Sequence, residues 1–251
     1  MAIYLGNTAI KKVYLGATEI KKIYKGTTLL YSSFTFDPDL LTYIDGLITP
    51  LSPGQLILLN TFIVDLKAGL GITNLSDAFD VMYILGGETA ESSLRNMIRR
   101  AHDATLVNAP LFTALEGYTG NGTNQRLELN YNPSTDGIKF TRDSASQIVY
   151  SRTNSLSNGV MGAVSGTNNC YLTTRNSSNQ FLVGINTAGY GYVGVNYNSI
   201  GMFIGSRTAS NVLNGYKNKV QQTPSADASV PVVSLNHVAL AVYRGGDILL
   251  V

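Results

Sequence analysis

The chain has 251 residues and a formal net charge of +2, and only 14% of its residues are charged, against roughly a quarter in an average soluble domain. A single cysteine, Cys170, excludes an internal disulfide and a thiolate metal cluster, and the two histidines, His102 and His237, give a metal site little to build on. No uninterrupted apolar run approaches the ~20 residues of a membrane span. Tyr4, Gly6, Asn7 and Lys11 break any signal-peptide core, so a soluble chain made without that export route is expected.

With 25 Gly, 22 Asn, 15 Tyr and no Trp, the polar surface rests on turn-forming residues, which suits β-structure. Charge is uneven: residues 1–31 carry five Lys and one Glu, 32–109 four basic and nine acidic residues, and 110–251 nine basic and six acidic. Local charges of +4, −5 and +3 are too mild to indicate nucleic-acid binding, and none is expected.

Residues 3–12 read IYLGNTAIKK, 13–22 VYLGATEIKK and 23–31 IYKGTTLLY. Tyr4, Tyr14 and Tyr24 hold one register of this repeat, and Gly6, Gly16 and Gly26 another. A Gly-x-Thr centre between short apolar runs predicts a turn between short strands, with successive units forming a small meander. So short a meander closes no core of its own and needs a partner surface, which marks these six residues as a candidate assembly interface. The pairs Lys11-Lys12 and Lys21-Lys22 read as solvated charges that blunt strand edges.

Residues 34–108 form a second region, expected to be helical. Ser52-Pro53-Gly54-Gln55 is a capping box with Pro at the first helical position, and Leu56, Leu59, Ile63 and Leu66 recur at helical spacing. They predict a helix over 53–68, closed by Gly69. Further helices are predicted over 76–85, with Ser76 as cap and Phe79, Met82 and Tyr83 inward, and near 89–100. On the last, Arg95 and Arg99 would share a face and meet acidic neighbours or solvent.

From 109 to 251 short alternating runs predict strands: Arg126–Tyr131, Gln147–Ser151, Cys170–Thr174, Phe181–Ile185, Tyr190–Tyr197 and Gly201–Ser206. Their close spacing between turn signals argues for an antiparallel β-sandwich. Gly189, Gly191 and Gly194 match a dinucleotide fingerprint in spacing only, since strand-like residues follow where a helix must open. No Asp or Glu occurs between 144 and 226, which leaves a glycosidase without its paired carboxylates and a calcium site without its cluster. Ser165 lacks nucleophile-elbow spacing. His102 beside Asp103 completes no triad, His237 reads as a strand histidine and Cys170 as core. No catalytic residue, metal or cofactor is expected. Tyr190, Tyr192 and Tyr197, in a Gly/Asn-rich stretch, are candidate glycan contacts or sheet packing.

The stretch Asn108–Thr135, NAPLFTALEGYTGNGTNQRLELNYNPST, resembles a segment of tailed-bacteriophage structural and tail-fibre proteins. There a GYTG-[ND]-GT turn leads into a strand ending near NPST. Ser206-Arg207-Thr208 and Asn214-Gly215-Tyr216-Lys217-Asn218 are similar to that family's later strand and hairpin, and the YLG-x-T-x-IKK repeat to segments that open many phage virion proteins. The resemblance implies a short-strand repeat, then helices, then a concanavalin-like (laminin-G-like, jelly-roll) sandwich. It also implies a non-enzymatic virion component, assembled in the host cytoplasm: a tail or head fibre, appendage or capsid decoration. Its expected partners are other virion proteins and copies of itself, a trimer above all. The alternative is a lectin-like module for host surface glycan. Family members usually continue past the hairpin through a strand and a helix, whereas here Ile248–Val251 stands last. That apolar stretch is expected to be buried in the sandwich or against a partner.

Overall fold

The computed structural model describes residues 36–156, 159–189, 191 and 194–241 in full, and short strands within 4–32 and 242–250 by their backbone alone. Strands β1 (Tyr4–Leu5), β2 (Thr8–Ala9), β3 (Val13–Leu15), β4 (Thr18–Ile20), β5 (Lys22–Lys25) and β6 (Thr28–Ser32) pair two by two across the Gly-x positions. Among the described residues each repeat unit is its own hairpin, and the expected continuous meander is not formed.

Two helices open the next region. Helix α1 (Pro38–Ile44) starts at Asp37, whose side chain accepts the Asp39 N–H, and α2 (Pro53–Leu70) starts at Ser52, whose Oγ accepts the Gln55 N–H. The start of α2 is as expected. Its end is two residues later, because Gly71, not Gly69, takes the left-handed conformation (φ 66°) that closes it. The helices pack through Leu40, Tyr43, Leu59 and Ile63.

The helix expected over 76–85 is absent. A single 3-10 turn, Leu75–Asp77, gives way to extended chain. The reason lies in the partners: Met82 and Ile84 pack into the helical core, while Val81, Tyr83 and Leu85 turn to a separate cluster around Leu127, Leu129 and Tyr131. A segment lodged between two cores needs period-two alternation. The helix expected near 89–100 is only α3 (Ala90–Leu94), with Thr89 as cap. Arg95, in extended backbone, shares no helix face with Arg99. It is buried, donating to the carbonyls of Tyr43, Asp45 and Gly46 and pairing with Glu91 at 3.5 Å.

The remainder is mainly β. In chain order it holds β7 (Thr105–Val107), β8 (Leu111–Thr113), β9 (Gly117–Thr119), β10 (Arg126–Glu128), a short α4 (Pro133–Asp136), β11 (Ala145–Ser151) and β12 (Met161–Ser165). Then come β13 (Asn168–Thr173), β14 (Gln180–Thr187), β15 (Gly194–Val195), β16 (Gly201–Ala209), β17 (Val212–Lys217) and β18 (Val220–Gln221). Strands β19 (Val238–Ala239), β20 (Ala241–Arg244) and β21 (Asp247–Leu250) close the chain.

Among the described residues the large sheet has the order β15-β14-β13-β12-β19-β10-β7, with β20 and β21 branching from β12, and the smaller one the order β11-β16-β17-β18. Pairing is antiparallel except between β12 and β20. The two sheets share one core: Leu172, Phe181, Val183 and Ile185 meet Ala145, Phe203 and Leu213, and the Phe181 and Phe203 rings stack edge to face at 5.1 Å. Gly162 (φ 132°) lets β12 lie close to β13, since a Cβ there would fall 2.1 Å from the Cys170 carbonyl. The final strand, expected to be buried, pairs with β20.

Candidate functional site

Two surface features depart from ordinary solvated structure. The first is the outer face of α2. Leu59, Asn60, Ile63 and Lys67 turn inward, where the Asn60 Oδ1 accepts the Asp37 N–H at 2.7 Å. Lys67 lies 2.6 Å from both Asp37 and Asp39, and although burial acts to lower its pKa, those two contacts raise it. Of the remaining positions, Leu58 and Phe62 on the outward side and Ile57 and Val64 flanking the buried face are 66%, 40%, 44% and 45% exposed. Asp65 is the one charged residue among the exposed positions of this helix.

A surface helix normally carries polar residues outward. Here Pro53–Asp77 contains a window long and apolar enough to cross a membrane, with 22% of it buried. The sequence hid this because Gln55, Asn60, Thr61 and Asp65 interrupt every apolar run. Leu41 on α1 and Ile48 in the following loop, 49% and 90% exposed, add to the apolar surface of the helical region. Large apolar side chains exposed along one helix are a candidate interaction surface.

The second feature is a groove of about 370 Å³ lined by Arg126, Glu128, Asn132, Ser234, Leu235 and Asn236. Strand β10 is held on both sides, by β7 and β19, so Arg126 and Glu128 project at i and i+2 from a fixed backbone, with Leu127 inward. Arg126 Nε donates to Glu128 Oε1 at 2.7 Å.

The residues singled out in the sequence fall elsewhere. Gly6, Gly16 and Gly26 lie outside the described residues, as do the side chains of Tyr4, Tyr14 and Tyr24, although these tyrosines start or continue β1, β3 and β5. Tyr190 and Tyr192 lie outside them too. Tyr197 is 70% exposed between β15 and β16; within the expected 190–197 strand, the described residues form only β15. Cys170 is core as expected, and burial pushes its thiol far up. His237 precedes β19 rather than lying in a strand, and is buried against Gln147. His102 stands in left-handed backbone (φ 61°), not on a helix.

Among the described residues no group of His, Cys, Asp and Glu could hold a metal ion. Arg126-x-Glu128 carries no catalytic signature in the sequence, because it sets one carboxylate beside a guanidinium rather than beside a second carboxylate. Comparison of the chain with protein-family models, curated proteins and solved structures finds no match.

Proposed function

We propose that the chain is a non-enzymatic structural component of a bacteriophage virion, a tail or head fibre, appendage or decoration protein. It acts by protein–protein assembly and is built as a homo-oligomer, a trimer in the first instance. The observation that carries the assembly reading is the exposed surface of α2, where Ile57, Leu58, Phe62 and Val64 stand in solvent with one carboxylate among them. Burying each large side chain contributes ~1.5–3 kcal/mol, so several copies meeting there supply a cohesive interface. A nearly uncharged face also meets its own copy without like-charge repulsion. The particle it belongs to rests on the GYTGNGT-to-NPST stretch and the N-terminal YLG-x-T repeat. A concanavalin-like, jelly-roll arrangement of the two sheets is part of the same proposal.

The test is quantitative mass spectrometry of gradient-purified phage particles from the source of the sequence. A fixed ratio to the major capsid protein is the expected result, and the copy number then separates a decoration from a fibre. Absence from the particles overturns the virion reading. Light scattering tests the oligomer separately, and a monodisperse monomer at micromolar concentration overturns it.

A further inference from the structure

We infer that Asn121 modifies itself in the folded chain. The backbone nitrogen of Gly122 displaces its side-chain ammonia, and water opens the resulting ring to aspartate or isoaspartate. Asparagine followed by glycine occurs three times, at 121–122, 158–159 and 214–215, and glycine has no Cβ to hinder attack by its own nitrogen. Asn158 lies outside the described residues. Between the other two, the surroundings decide.

Asn121 and Gly122 are exposed in the loop between β9 and β10. The Asn121 Oδ1 accepts the backbone N–H groups of Thr123, Asn124 and Gln125 at 3.0, 3.1 and 3.2 Å. Held by the residues after Gly122, the side chain is folded forward over its own following peptide, which brings Cγ toward the nitrogen that attacks it. The same three donors face the oxygen on which negative charge develops as Cγ becomes tetrahedral, the arrangement of an oxyanion hole. Among the described residues the Gly122 N–H donates to no protein group, so a base from solvent reaches its proton. The leaving Nδ2 donates to Asn124 Oδ1 at 3.0 Å. Asn214 is the internal contrast. It is 8% exposed in β17, opposite Ser206 of β16, and its Oδ1 accepts Gln221 Nε2 at 2.9 Å. A strand side chain stands off the sheet, away from the next peptide nitrogen, and burial keeps hydroxide out.

The reaction needs only water. Hydroxide removes the Gly122 amide proton, and the nitrogen forms a bond to Cγ. The bond from Cγ to Nδ2 then breaks, and Nδ2 takes a proton from water and leaves as ammonia. Water adds to the five-membered imide. Opening at Cγ leaves the ordinary backbone with an aspartate side chain, whereas opening at the main-chain carbonyl routes the backbone through the side chain as isoaspartate. Either product lowers the formal net charge of +2 by one. The aspartate inherits the three N–H donors as charge-assisted bonds, and isoaspartate lengthens the loop backbone by one methylene. The site does not use the α2 face.

The full-length protein is incubated in mildly alkaline buffer, folded and in urea, and sampled over time by digestion and mass spectrometry. A peptide that gains the difference in mass between O and NH at position 121 marks the product, and heavy-oxygen water labels the oxygen that enters. In the folded protein Asn121 is expected to convert at least tenfold faster than Asn214, and in urea the two rates are expected to converge. The folded Asn121 rate is expected to match or exceed its own rate in urea. Asn121→Gln, whose ring closure needs one more member, is expected to leave position 121 unmodified with an unchanged circular dichroism spectrum. An Asn121 that stays intact in the folded protein overturns the proposal, as does conversion no faster than that of Asn214. So does a folded rate below the rate in urea, since the three N–H bonds would then protect the amide. Equal conversion in Asn121→Gln would mean direct hydrolysis and overturns the ring step.

Discussion

Gln147 Nε2 lies 3.2 Å from His237 Nδ1, joining β11 to the segment that leads into β19, with both side chains buried. The amide N–H donates to the unprotonated ring nitrogen, while Tyr131 and Phe140 pack edge-on against the imidazole at 6.1 Å. Among the described residues no carboxylate pairs with His237, and Asp80 lies beyond Tyr131. Burial therefore lowers the histidine pKa from 6.5 to about 4.

The neutral ring is the form that the fold holds, so stability is full above the unfolded pKa near 6.5 and is lost as pH falls toward 4. At ~1.4 kcal/mol per pKa unit, about 3 kcal/mol goes across that window. His237→Gln keeps a polar partner for Gln147 but does not titrate. Urea unfolding of both proteins between pH 7 and pH 4 is expected to show the wild type losing about 3 kcal/mol more than the variant. Parallel pH profiles would refute this.

Asp80 holds the helical region to the sandwich. Its buried carboxylate accepts the N–H groups of Ile138, Lys139 and Phe140 at 2.9 to 3.1 Å and the Tyr131 hydroxyl at 3.0 Å. Burial and the adjacent Asp80 together raise the Tyr131 phenol well above its ordinary value. Asp80→Asn turns an amide donor toward these donors and is expected to cost about 2–4 kcal/mol. Tyr131→Phe removes one hydrogen bond and is expected to cost about 1 kcal/mol. Equilibrium denaturation ranks the two, and an Asp80→Asn effect no larger than that of Tyr131→Phe would show that the carboxylate is not the anchor.

The α2 start was legible because Ser52, Pro53 and Gln55 are local signals whose chemistry does not depend on the rest of the fold. Strands β11 and β16 were legible for a similar reason, their alternation being that of a sheet with one buried face, whereas β13 and β14 are buried on both faces and were legible as short apolar runs between turn signals. Residues 79–85 were not: Phe79, Met82 and Tyr83 fit a helical stripe, and only the existence of two cores on either side makes alternation the better reading. Arg95 shows the same limit, since its partners at Tyr43 and Asp45 lie some fifty positions away. The groove brings β10 against residues 234–236 across more than a hundred positions, and no local pattern announces that meeting.

Cys170 is fully buried in β13, and burial raises its thiol far above the ordinary range. The thiolate is the reactive form, so the folded protein is expected to resist a maleimide reagent at neutral pH and to react fully in denaturant. Labelling by intact mass checks this. Stoichiometric labelling without denaturant would mean that the sandwich core opens readily.

The outer face of α2 gives the sharpest test of assembly, because substitutions there can be separated from folding. Leu58 and Phe62 are 66% and 40% exposed, whereas Ile63, one position on, is wholly buried against α1. A carboxylate at Leu58 or Phe62 stays hydrated in the single chain, so Leu58→Glu/Phe62→Glu is expected to keep its melting temperature within a few degrees of a monomeric reference. In the oligomer the same carboxylates from several copies would converge in a dry contact, losing the ~1.5–3 kcal/mol that each apolar side chain contributes and adding repulsion. Light scattering is expected to show a multiple of the 27.0 kDa chain mass for the wild type and the single-chain mass for the double variant. Ile63→Glu, by contrast, is expected to unfold the helical region. If the double variant keeps the wild-type mass, copies do not meet through α2. If the wild type is a monomer that floats with phosphatidylcholine vesicles, and the variant does not, the face meets lipid rather than its own copies.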